Sequence, residues 1–265
     1  MITIKKTLLC DFPLYTYPYL KNNHGLIFCF TTRDGGYSNG KFKSLNLDYH
    51  VGDDSVNVKK NREIILNEIG LKRLKKIYSV KQVHGSSIIN IDRNKDYRSD
   101  DILEEADCII TDLPDTPVMV MGADCNLILA ADVDKKVVAA VHAGWKGTLN
   151  ELVSKAILFL KKRFKSKAGD LFVSFGPSIR RCCYKVTGPV LEKFVSRFGD
   201  GNFYLKKHNG IYLDLAMVNY MQLEKLGLKE KNISDCKMCT YCSPGFFSYR
   251  KSKITGRQAG IAIIK

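Results

Sequence analysis

Residues 118–147 read VMVMGADCNLILAADVDKKVVAAVHAGWKG and contain three short apolar runs. The runs are rich in valine, leucine, isoleucine and alanine and are too short for helices, so they predict buried β-strands. They cover residues 118–121, 127–131 and 137–142. Asp124 and Cys125 separate the first two runs, and His142 ends the third. This segment therefore predicts a buried sheet whose strand ends carry chemically active side chains.

The rest of the chain predicts further strands with helices packed outside them. Short β-branched or aromatic runs predict strands at residues 26–31, 77–80, 87–91, 108–111, 171–175 and 260–264. Helices are predicted over about 55–69, after Thr148, over 190–198 and over 214–227, with Thr148 and Glu151 forming a capping box for the second. Because strands and helices do not alternate regularly, we expect an α/β fold of the α+β type, with mixed β-sheets flanked by helices. No linker or repeat divides the chain, so one catalytic domain over residues 1–265 is expected.

The composition is that of an ordinary globular protein. Of the 265 residues, 45% are hydrophobic and 26% are charged, which excludes disordered, collagen-like and coiled-coil classes. No apolar run approaches the roughly 20 residues of a membrane span. The N-terminal apolar segment is too short for a secretory signal, and nine cysteines is an odd number. A cytoplasmic protein with reduced thiols and no membrane partner is therefore expected.

The chain is strongly basic, with 42 Lys and Arg against 27 Asp and Glu, a net charge of +15. The lysines are scattered, which fits either a solvated surface or long-range attraction of anionic ligands. Common nucleotide and hydrolase motifs are absent from the sequence, including Gly-x-Gly-x-x-Gly, Walker A, His-Glu-x-x-His and Gly-x-Ser-x-Gly. Dinucleotide, P-loop, zincin and serine-hydrolase functions are therefore disfavoured.

The strongest candidate residues lie at predicted strand ends. His142 is followed by a glycine-loosened turn with Lys146 and then a helix, and a helix N-terminus attracts anions. Asp124 and Cys125 lie between buried strands, where a carboxylate requires a partner. With His84, Cys125 and His142 would form a His₂Cys set, the donor number of a catalytic zinc site with one open position. Their separations of 41 and 17 residues give this set no support. Hydrogen-bonded structural histidines and a buried structural cysteine remain open interpretations of these residues.

The remaining cysteines allow several interpretations. Cys236, Cys239 and Cys242 have the spacing of an iron–sulfur or zinc site but lack a fourth ligand nearby in the sequence. Cys182 and Cys183 could supply it in space. Structural thiols, a metal site and redox chemistry all remain open.

Aromatic and arginine residues near the C-terminus fit recognition of a base and a phosphate. The segment Phe246-Phe247-Ser248-Tyr249-Arg250 and the later Arg257 offer aromatic faces and guanidinium forks. Arg33, on a loop with two glycines, is a similar candidate. Taken singly, each arginine is better explained by a solvated salt bridge.

An ordered series of motifs resembles a known family over about residue 26 to the C-terminus. The motifs are TTRDGG (31–36), SLNL (44–47), HVGDD (50–54), NR (61–62), QVHG (82–85), ADC (123–125), HAGWKG (142–147), GPSI (176–179), CCYKV (182–186) and FFSYR (246–250). The chain resembles the bacterial laccase-domain proteins, once called multicopper polyphenol oxidoreductases and now understood as purine nucleoside phosphorylases with adenosine deaminase activity.

This resemblance implies the fold and a zinc site. His84, Cys125 and His142 match the family's zinc-binding positions. The implied fold is the family's single α/β domain of mixed sheets flanked by helices. The implied partners are a small-molecule nucleoside and phosphate, and we expect a monomer that binds no nucleic acid.

The resemblance also implies the reactions. They are phosphorolysis of adenosine, inosine and S-methyl-5′-thioadenosine, and hydrolytic deamination of adenosine. We expect Asp124 to shuttle a proton or to orient a ligand. We expect Arg33, Arg62 and Lys146 to bind phosphate and Phe247 to stack on the purine. The chain departs from the family pattern at three positions, which are Asn126 for proline, Lys146 for arginine and Lys185 for glutamate.

Three alternatives compete with this interpretation. A copper phenol oxidase would also use His₂Cys, but five histidines in the chain are few for several copper sites. A cysteine hydrolase would use Cys125 as nucleophile with His142 or His84 as base. A nucleic-acid binder would explain the charge of +15 but lacks a recognisable module.

Overall fold

A computed structural model of the chain describes residues 5–9, 12–17, 20, 22, 24–74, 76–93 and 102–265. Within these ranges the strands form two large sheets and one small sheet. We call the seven-stranded sheet the first sheet. Its spatial order is β1 (Lys5–Leu9), β2 (Phe12–Thr16), β3 (Leu26–Thr31), β16 (Gln258–Ile264), β8 (Val118–Gly122), β4 (Tyr78–Lys81) and β6 (Ile102–Glu105).

The six-stranded second sheet contains most of the runs quoted above. Its spatial order is β15 (Ile233–Asp235), β11 (Leu171–Phe175), β9 (Asn126–Asp132), β10 (Val137–Ala143), β7 (Cys108–Thr111) and β5 (Ile88–Ile91). The small sheet has the order β12 (Lys185–Val186), β14 (Gly210–Leu213) and β13 (Tyr204–Lys207). Both large sheets mix parallel and antiparallel pairs, as predicted.

Helices cover the outer faces of the two large sheets. The described α-helices are α1 (Ser55–Glu68), α2 (Trp145–Leu149), α3 (Leu152–Phe164), α4 (Gly188–Phe198) and α5 (Leu215–Lys225). Helix α1 packs Ile65 and Leu66 against one face of the first sheet, whereas α3 and α5 cover the second sheet. The side chains between the two sheets form the central core. The order of layers is therefore helix, sheet, sheet, helices.

Burial on both faces explains why the strands read as continuous apolar runs. On β3, Phe28 and Phe30 face the central core while Ile27 and Cys29 face α1, because successive side chains alternate between faces. Residues of β8, β9 and β10 are buried throughout. A strand covered on both sides has no polar face, so periodicity alone cannot distinguish its two sides.

The predicted helix and strand positions agree with the structure, with one correction at a helix start. The capping box predicted at Thr148 and Glu151 is wrong. Thr148 lies inside the short helix α2, and α3 begins only after Glu151, which has φ of 57° and makes no side-chain cap. Asp214 does cap α5, accepting hydrogen bonds from the backbone N–H groups of Ala216 and Met217.

Within the described ranges, the structure also contains seven strands that the sequence did not predict. They are β1, β2, β6, β12, β13, β14 and β15.

In the described part of the chain, none of the helices combines the length and the apolar character that a membrane crossing requires.

Candidate active site

The three side chains expected to bind a metal, His84, Cys125 and His142, converge in the structure. Their ligand atoms all lie within 4.8 Å of one another. The two imidazole rings are nearly perpendicular, with centroids 4.8 Å apart and an interplanar angle of 85°. Side chains from three distant positions of the sequence therefore meet at one point, which we call the His₂Cys cluster.

The ends of three strands position the His₂Cys cluster. Cys125 lies in the turn between β8 of the first sheet and β9 of the second. His142 is on β10 and pairs with Leu127 of β9, next to that turn. His84 follows β4, which pairs in parallel with β8. The strand pairing thus carries all three side chains to one edge of the two-sheet core.

Close packing and backbone conformation hold the cluster together. A Cβ atom added at Gly144 would lie 3.0 Å from the Cys125 sulfur and 3.1 Å from His84 Cδ2, so this position leaves room only for glycine without local movement. His84 and Asp124 have positive φ values of 57° and 102°. Such conformations are costly for residues with side chains and are often found at functional sites.

The buried carboxylate of Asp107 orients both histidines. It accepts hydrogen bonds from the backbone N–H groups of His84 at 3.0 Å and Gly85 at 2.6 Å. Its Oδ1 lies 2.8 Å from His142 Nδ1, and the exposed fractions of the two side chains are 0% and 3%. With Nδ1 bound to Asp107, His142 presents Nε2 to the cluster. Metal-ligating histidines are commonly oriented in this way.

The electrostatics of the cluster favour a thiolate. Burial alone would raise the pKa of Cys125, but the charge of His142 and hydrogen bonds from His142 and His84 lower it to about 6. Burial would lower the pKa of His142, but Cys125 and Asp107 raise it to about 9. At a pH between these two pKa values, Cys125 is a thiolate and His142 is an imidazolium. The thiolate is the form of cysteine that binds metals and acts as a nucleophile.

The residues present fit a zinc-type metal ion. Two imidazole nitrogens and one thiolate are borderline-soft donors that suit Zn²⁺ or copper. The ligand atoms are close enough to share one ion. The Asp107 carboxylate accepts a hydrogen bond from His142 Nδ1, as carboxylates commonly do from histidines that bind metals.

A cleft of about 700 Å³ contains the cluster in its wall. The side chains that line it include polar, cationic and aromatic residues from several loops. Gln82 holds two of its walls together, because its amide exchanges hydrogen bonds of 2.7 Å with the backbone O and N of Met121. The cleft is also lined by side chains that are positively charged or can be protonated, which are Arg250, Arg257, Lys81 and His50. The aromatic side chains lining it are Trp145, Tyr184 and Tyr249.

The structure relocates the four residues expected to bind substrate. Arg33 binds the backbone O of Lys43 and lines a different depression. Arg62 is buried, donates to Leu47 O and packs on the Tyr49 ring. Lys146 is exposed beside Trp145 and does not line the cleft. The structure corrects these three expectations, because none of the three cations lines the cleft. Arg33 and Arg62 direct their guanidinium groups to backbone oxygens of Lys43 and Leu47, and Lys146 is exposed to solvent.

Phe247 requires the same correction. Its side chain is completely buried, so no purine could stack on it. It packs beneath the Arg33 guanidinium, 5.0 Å from the ring centroid, and close to Gly256. Of the segment that contains it, Tyr249 and Arg250 reach the cleft instead.

Asp124 lies at the cleft with both carboxylate oxygens engaged. Oδ1 accepts a hydrogen bond of 2.7 Å from Thr240 Oγ1, and Oδ2 accepts one of 2.6 Å from the Arg250 N–H. Its backbone O accepts from the Ile179 N–H at 2.8 Å. These contacts tie two loops to the turn that carries Cys125, which matches an orienting role better than proton transfer.

Sequence reasoning missed Asp107, although a signal for it exists. Residues 106–108 read Ala-Asp-Cys before a buried strand, the same tripeptide as residues 123–125. A charged residue directly before an apolar run had already singled out Asp124, and the same criterion would select Asp107. Tyr184 of the cleft comes from a segment with no comparable signal, whereas Tyr249, Arg250 and Arg257 were among the aromatic and arginine candidates near the C-terminus.

Comparisons with known proteins identify the family of the chain. The family model described as multi-copper polyphenol oxidoreductase laccase matches residues 27–265. A purine nucleoside phosphorylase of Clostridium acetobutylicum is 34% identical over 220 residues, covering 80% of this chain and 86% of that protein. A purine nucleoside phosphorylase of Haemophilus influenzae is 32% identical, covering 91% of this chain and 94% of that protein.

Solved structures show the same fold. YlmD from Geobacillus stearothermophilus has a TM-score of 0.83 and 29% identity, covering 91% of this chain and 92% of that chain. The hypothetical protein YfiH of Bacillus licheniformis has a TM-score of 0.86 and 27% identity, covering 95% of this chain and 96% of that chain. By the match over residues 27–265, this chain belongs to the multi-copper polyphenol oxidoreductase laccase family.

Proposed function

We propose that this chain is a metal-dependent purine nucleoside phosphorylase that acts on adenosine, inosine and S-methyl-5′-thioadenosine and also deaminates adenosine. The observation that carries the proposal is the convergence of His84, Cys125 and His142 in the wall of a cleft that also presents arginines and aromatic rings. Relatives named purine nucleoside phosphorylase, at 34% and 32% identity, support it. We place the protein in the cytoplasm as a monomer.

Zn²⁺ is the ion we assign to His84, Cys125 and His142. Held there, it supplies Lewis acidity and lowers the pKa of water to about 7. The chain's own contribution is to keep the thiolate of Cys125 formed and the Nε2 of His142 directed inward. Asp107 performs the second task through its hydrogen bond to His142 Nδ1.

Phosphorolysis requires a phosphate held against the sugar. An oxygen of phosphate forms a bond to C1′ while the bond from C1′ to the base nitrogen breaks, and the base leaves with a proton. Arg250 and Arg257 line the cleft and are our candidates for the phosphate clamp, replacing Arg33, Arg62 and Lys146. Each is anchored through Nη1, Arg250 on Lys185 O and Arg257 on Thr255 O and Gly256 O, and its other N–H groups are the ones we assign to phosphate. Two guanidinium groups bind phosphate oxygens in a fixed geometry and stabilise developing charge.

Tyr249 and Tyr184 are our candidates for contacts with the purine. Tyr249 is 48% exposed at the cleft, so its ring is available for stacking. Burial and the negative charge of Cys125 raise the pKa of Tyr184 to about 12. Its hydroxyl therefore stays protonated and can donate a hydrogen bond to a base or sugar oxygen.

Deamination requires water to attack C6 of adenine while the bond to the amino nitrogen breaks and ammonia leaves. A carboxylate commonly shuttles the proton in zinc deaminases. Asp124 lies at the cleft, but Thr240 and Arg250 already engage its oxygens. If Asp124→Asn keeps deamination within about threefold of wild type at saturating zinc, the shuttle role is excluded and an orienting role remains.

The test is product analysis with adenosine. Zinc-loaded protein is incubated with adenosine, and in parallel with inosine and with S-methyl-5′-thioadenosine, each with and without phosphate. The products are identified by mass. Adenine and ribose 1-phosphate formed only with phosphate support phosphorolysis, and inosine formed in both conditions supports deamination. Unchanged adenosine, inosine and S-methyl-5′-thioadenosine in all conditions would contradict the proposal.

A cysteine hydrolase is a second candidate favoured by one observation. Cys125, His142 and Asp107 form a line of thiolate, imidazolium and carboxylate, which is the order of a nucleophile, a base and its orienting group. Stoichiometric zinc that protects Cys125 from alkylation favours the ligand role. A metal-free thiol that reacts rapidly and turns over esters or amides favours the hydrolase.

Copper oxidase chemistry is the function that the family label describes. The His₂Cys cluster would accept copper. Coupled multicopper oxidation needs several imidazole-rich sites, and in the described part of the chain the His₂Cys cluster is the one metal-type group that contains histidine. Oxygen consumption with a phenol by copper-loaded protein would support this candidate, and its absence beside phosphorolysis would remove it.

A further inference from the structure

A second group of four side chains lies outside the cluster that the proposed function uses. The sulfur atoms of Cys182, Cys183, Cys239 and Cys242 all lie within 4.8 Å of one another. We call these residues the Cys₄ cluster. The cluster consists of two adjacent cysteines and a Cys-x-x-Cys pair that follows them more than fifty residues later in the sequence. The Cys-x-x-Cys spacing is common in structural zinc sites.

The distances in the Cys₄ cluster match one tetrahedral ion. With zinc–sulfur bonds of about 2.3 Å, the edge of a regular tetrahedron of sulfurs is about 3.8 Å. The sulfurs of Cys182 and Cys242 are 3.8 Å apart. A disulfide needs only two sulfurs, at about 2.05 Å. The inorganic core of an iron–sulfur cluster holds its cysteine sulfurs farther apart than a single ion does.

The backbone around the Cys₄ cluster is fixed independently of its thiols. Ser178 and Cys239 form a parallel bridge, with the Thr240 N–H donating to Ser178 O at 3.1 Å. Arg180 anchors the first loop by hydrogen bonds of 2.9 and 2.8 Å to the carboxylate of Asp235. Both ligand-bearing loops are therefore held in register before any ion binds.

Backbone donors also surround the sulfur of Cys239. The N–H groups of Arg180, Tyr241 and Cys242 are directed at it. Cys239 is buried whereas Cys182 and Cys242 are exposed, so the site is open to entry of an ion from one side.

We propose that Cys182, Cys183, Cys239 and Cys242 bind one Zn²⁺ ion as a closed, structural site. Each thiol binds as a thiolate and releases its proton on binding. Four protein ligands leave no open position, so this ion has no catalytic role. Its effect is to fasten the loop of residues 178–184 to that of residues 238–243.

The Cys₄ site would stabilise one wall of the cleft. Thr240, between Cys239 and Cys242, donates to Asp124 Oδ1 at 2.7 Å, and Ile179 on the other loop donates to Asp124 O at 2.8 Å. Tyr184 of the cleft follows Cys183 directly. The second ion therefore positions side chains near Cys125 without contacting substrate.

Zinc content of full-length variants tests the proposal. We expect two zinc ions per chain in wild type after purification under reducing conditions, and one in Cys182→Ser/Cys242→Ser. The matched control is Cys236→Ser, because Cys236 belongs to the same Cys-x-x-Cys-x-x-Cys run but lies outside both clusters. It should retain two ions. Cys125→Ser should retain only the ion of the Cys₄ site, which separates this test from the proposed function.

Alkylation of the wild-type protein tests the same claim without a variant that must fold. The exposed thiols of Cys182 and Cys242 should react with iodoacetamide at least about tenfold more slowly with zinc present than after chelation, because a bound thiolate is not free to attack. Cys236 should change little. Equal alkylation with and without zinc would overturn the proposal, and so would two zinc ions in the double variant. A Cys182–Cys242 disulfide that persists after treatment with a reductant would also overturn it.

Discussion

The His₂Cys cluster and the Cys₄ cluster place metal-type donors in opposite kinds of surroundings. The first lies at the ends of β-strands of two packed sheets, and a carboxylate buried beneath it orients a histidine. The second lies on two surface loops, with backbone N–H groups around one sulfur. The first offers three protein donors and faces a cleft, whereas the second offers four.

This difference indicates a division of roles between the two clusters. Three donors leave a coordination position open to water or substrate, while four close the ion to chemistry. Rigid strands suit the cluster whose geometry must be precise, and loops suit one that only fastens segments together. The predictions below test whether activity depends on the first cluster alone.

The largest effect is expected from Cys125→Ser. It removes the thiolate of the His₂Cys cluster, so metal binding there should be lost and kcat/KM with adenosine and phosphate should fall at least about 1,000-fold, which is about 4 kcal/mol. In comparison, Cys182→Ser/Cys242→Ser should lower kcat/KM by no more than about tenfold, because it acts through loop position. Steady-state kinetics on both zinc-analysed variants make the comparison. A larger loss in the double variant than in Cys125→Ser would reverse the assignment of roles.

Metal affinity of the His₂Cys cluster should depend steeply on pH. In the metal-free cluster the pKa of His142 is about 9, so a metal ion that binds below pH 9 must displace the proton of His142. The pKa of Cys125 is about 6, so below pH 6 the metal ion must displace the Cys125 proton as well. Affinity should therefore fall about tenfold per pH unit from 9 to 6 and more steeply below 6. Competition titration with a chromophoric chelator measures this. A flat profile between pH 6 and 9 would show that no thiolate–imidazolium pair exists.

Asp107→Asn should weaken the His₂Cys cluster by an intermediate amount. The amide keeps the shape of the carboxylate but loses the charge that holds His142 Nδ1. Metal affinity and activity should fall about 10- to 100-fold, as outer-shell changes usually do. Asp112→Asn is the matched control, since Asp112 follows the same strand β7 that Asp107 precedes and is exposed. Equal effects of the two substitutions would remove the orienting role of Asp107.

Gly144→Ala should have the smallest effect. The new Cβ would meet the Cys125 sulfur and the His84 ring at 3.0 and 3.1 Å, so these ligands must shift by a few tenths of an ångström. We expect zinc affinity to fall about fivefold, because small misplacements of reacting groups are costly. Gly169→Ala, whose added Cβ would meet nothing within 4 Å, should leave affinity unchanged. Unaltered zinc affinity in Gly144→Ala would mean that the ligands are less tightly packed than the structure shows.

The core strands could be predicted from the sequence because burial on both faces makes them apolar throughout. Strands β3, β7 and β11 have the predicted bounds, and β8, β9 and β10 differ by one residue at their ends. The strands of the small sheet were missed, because β13 is largely exposed and carries two lysines. The start of α3 was missed because the preceding turn has a left-handed residue that no capping pattern encodes.

The candidate site could be predicted where residues lie at strand ends and where aromatic and arginine residues cluster near the C-terminus, since Tyr249, Arg250 and Arg257 line the cleft. Family resemblance supplied the metal ligands, and strand pairing explains their meeting. Arg33, Arg62 and Lys146 do not line the cleft, because a lone cation in a sequence carries no signal of where its side chain will lie. Arg33 and Arg62 bind backbone oxygens on their own sides of the fold, whereas Arg250 reaches the cleft through its backbone contact with Asp124. Such long-range contacts leave no local pattern.

The most direct test is an anomalous-diffraction crystal structure of the zinc-loaded protein. The central claim, that His84, Cys125 and His142 share one ion at the cleft, predicts a zinc peak about 2.0–2.1 Å from a nitrogen of each histidine and about 2.3 Å from the sulfur of Cys125. A fully zinc-loaded crystal with no peak among these side chains, or with the histidine rings turned away from Cys125, would contradict it.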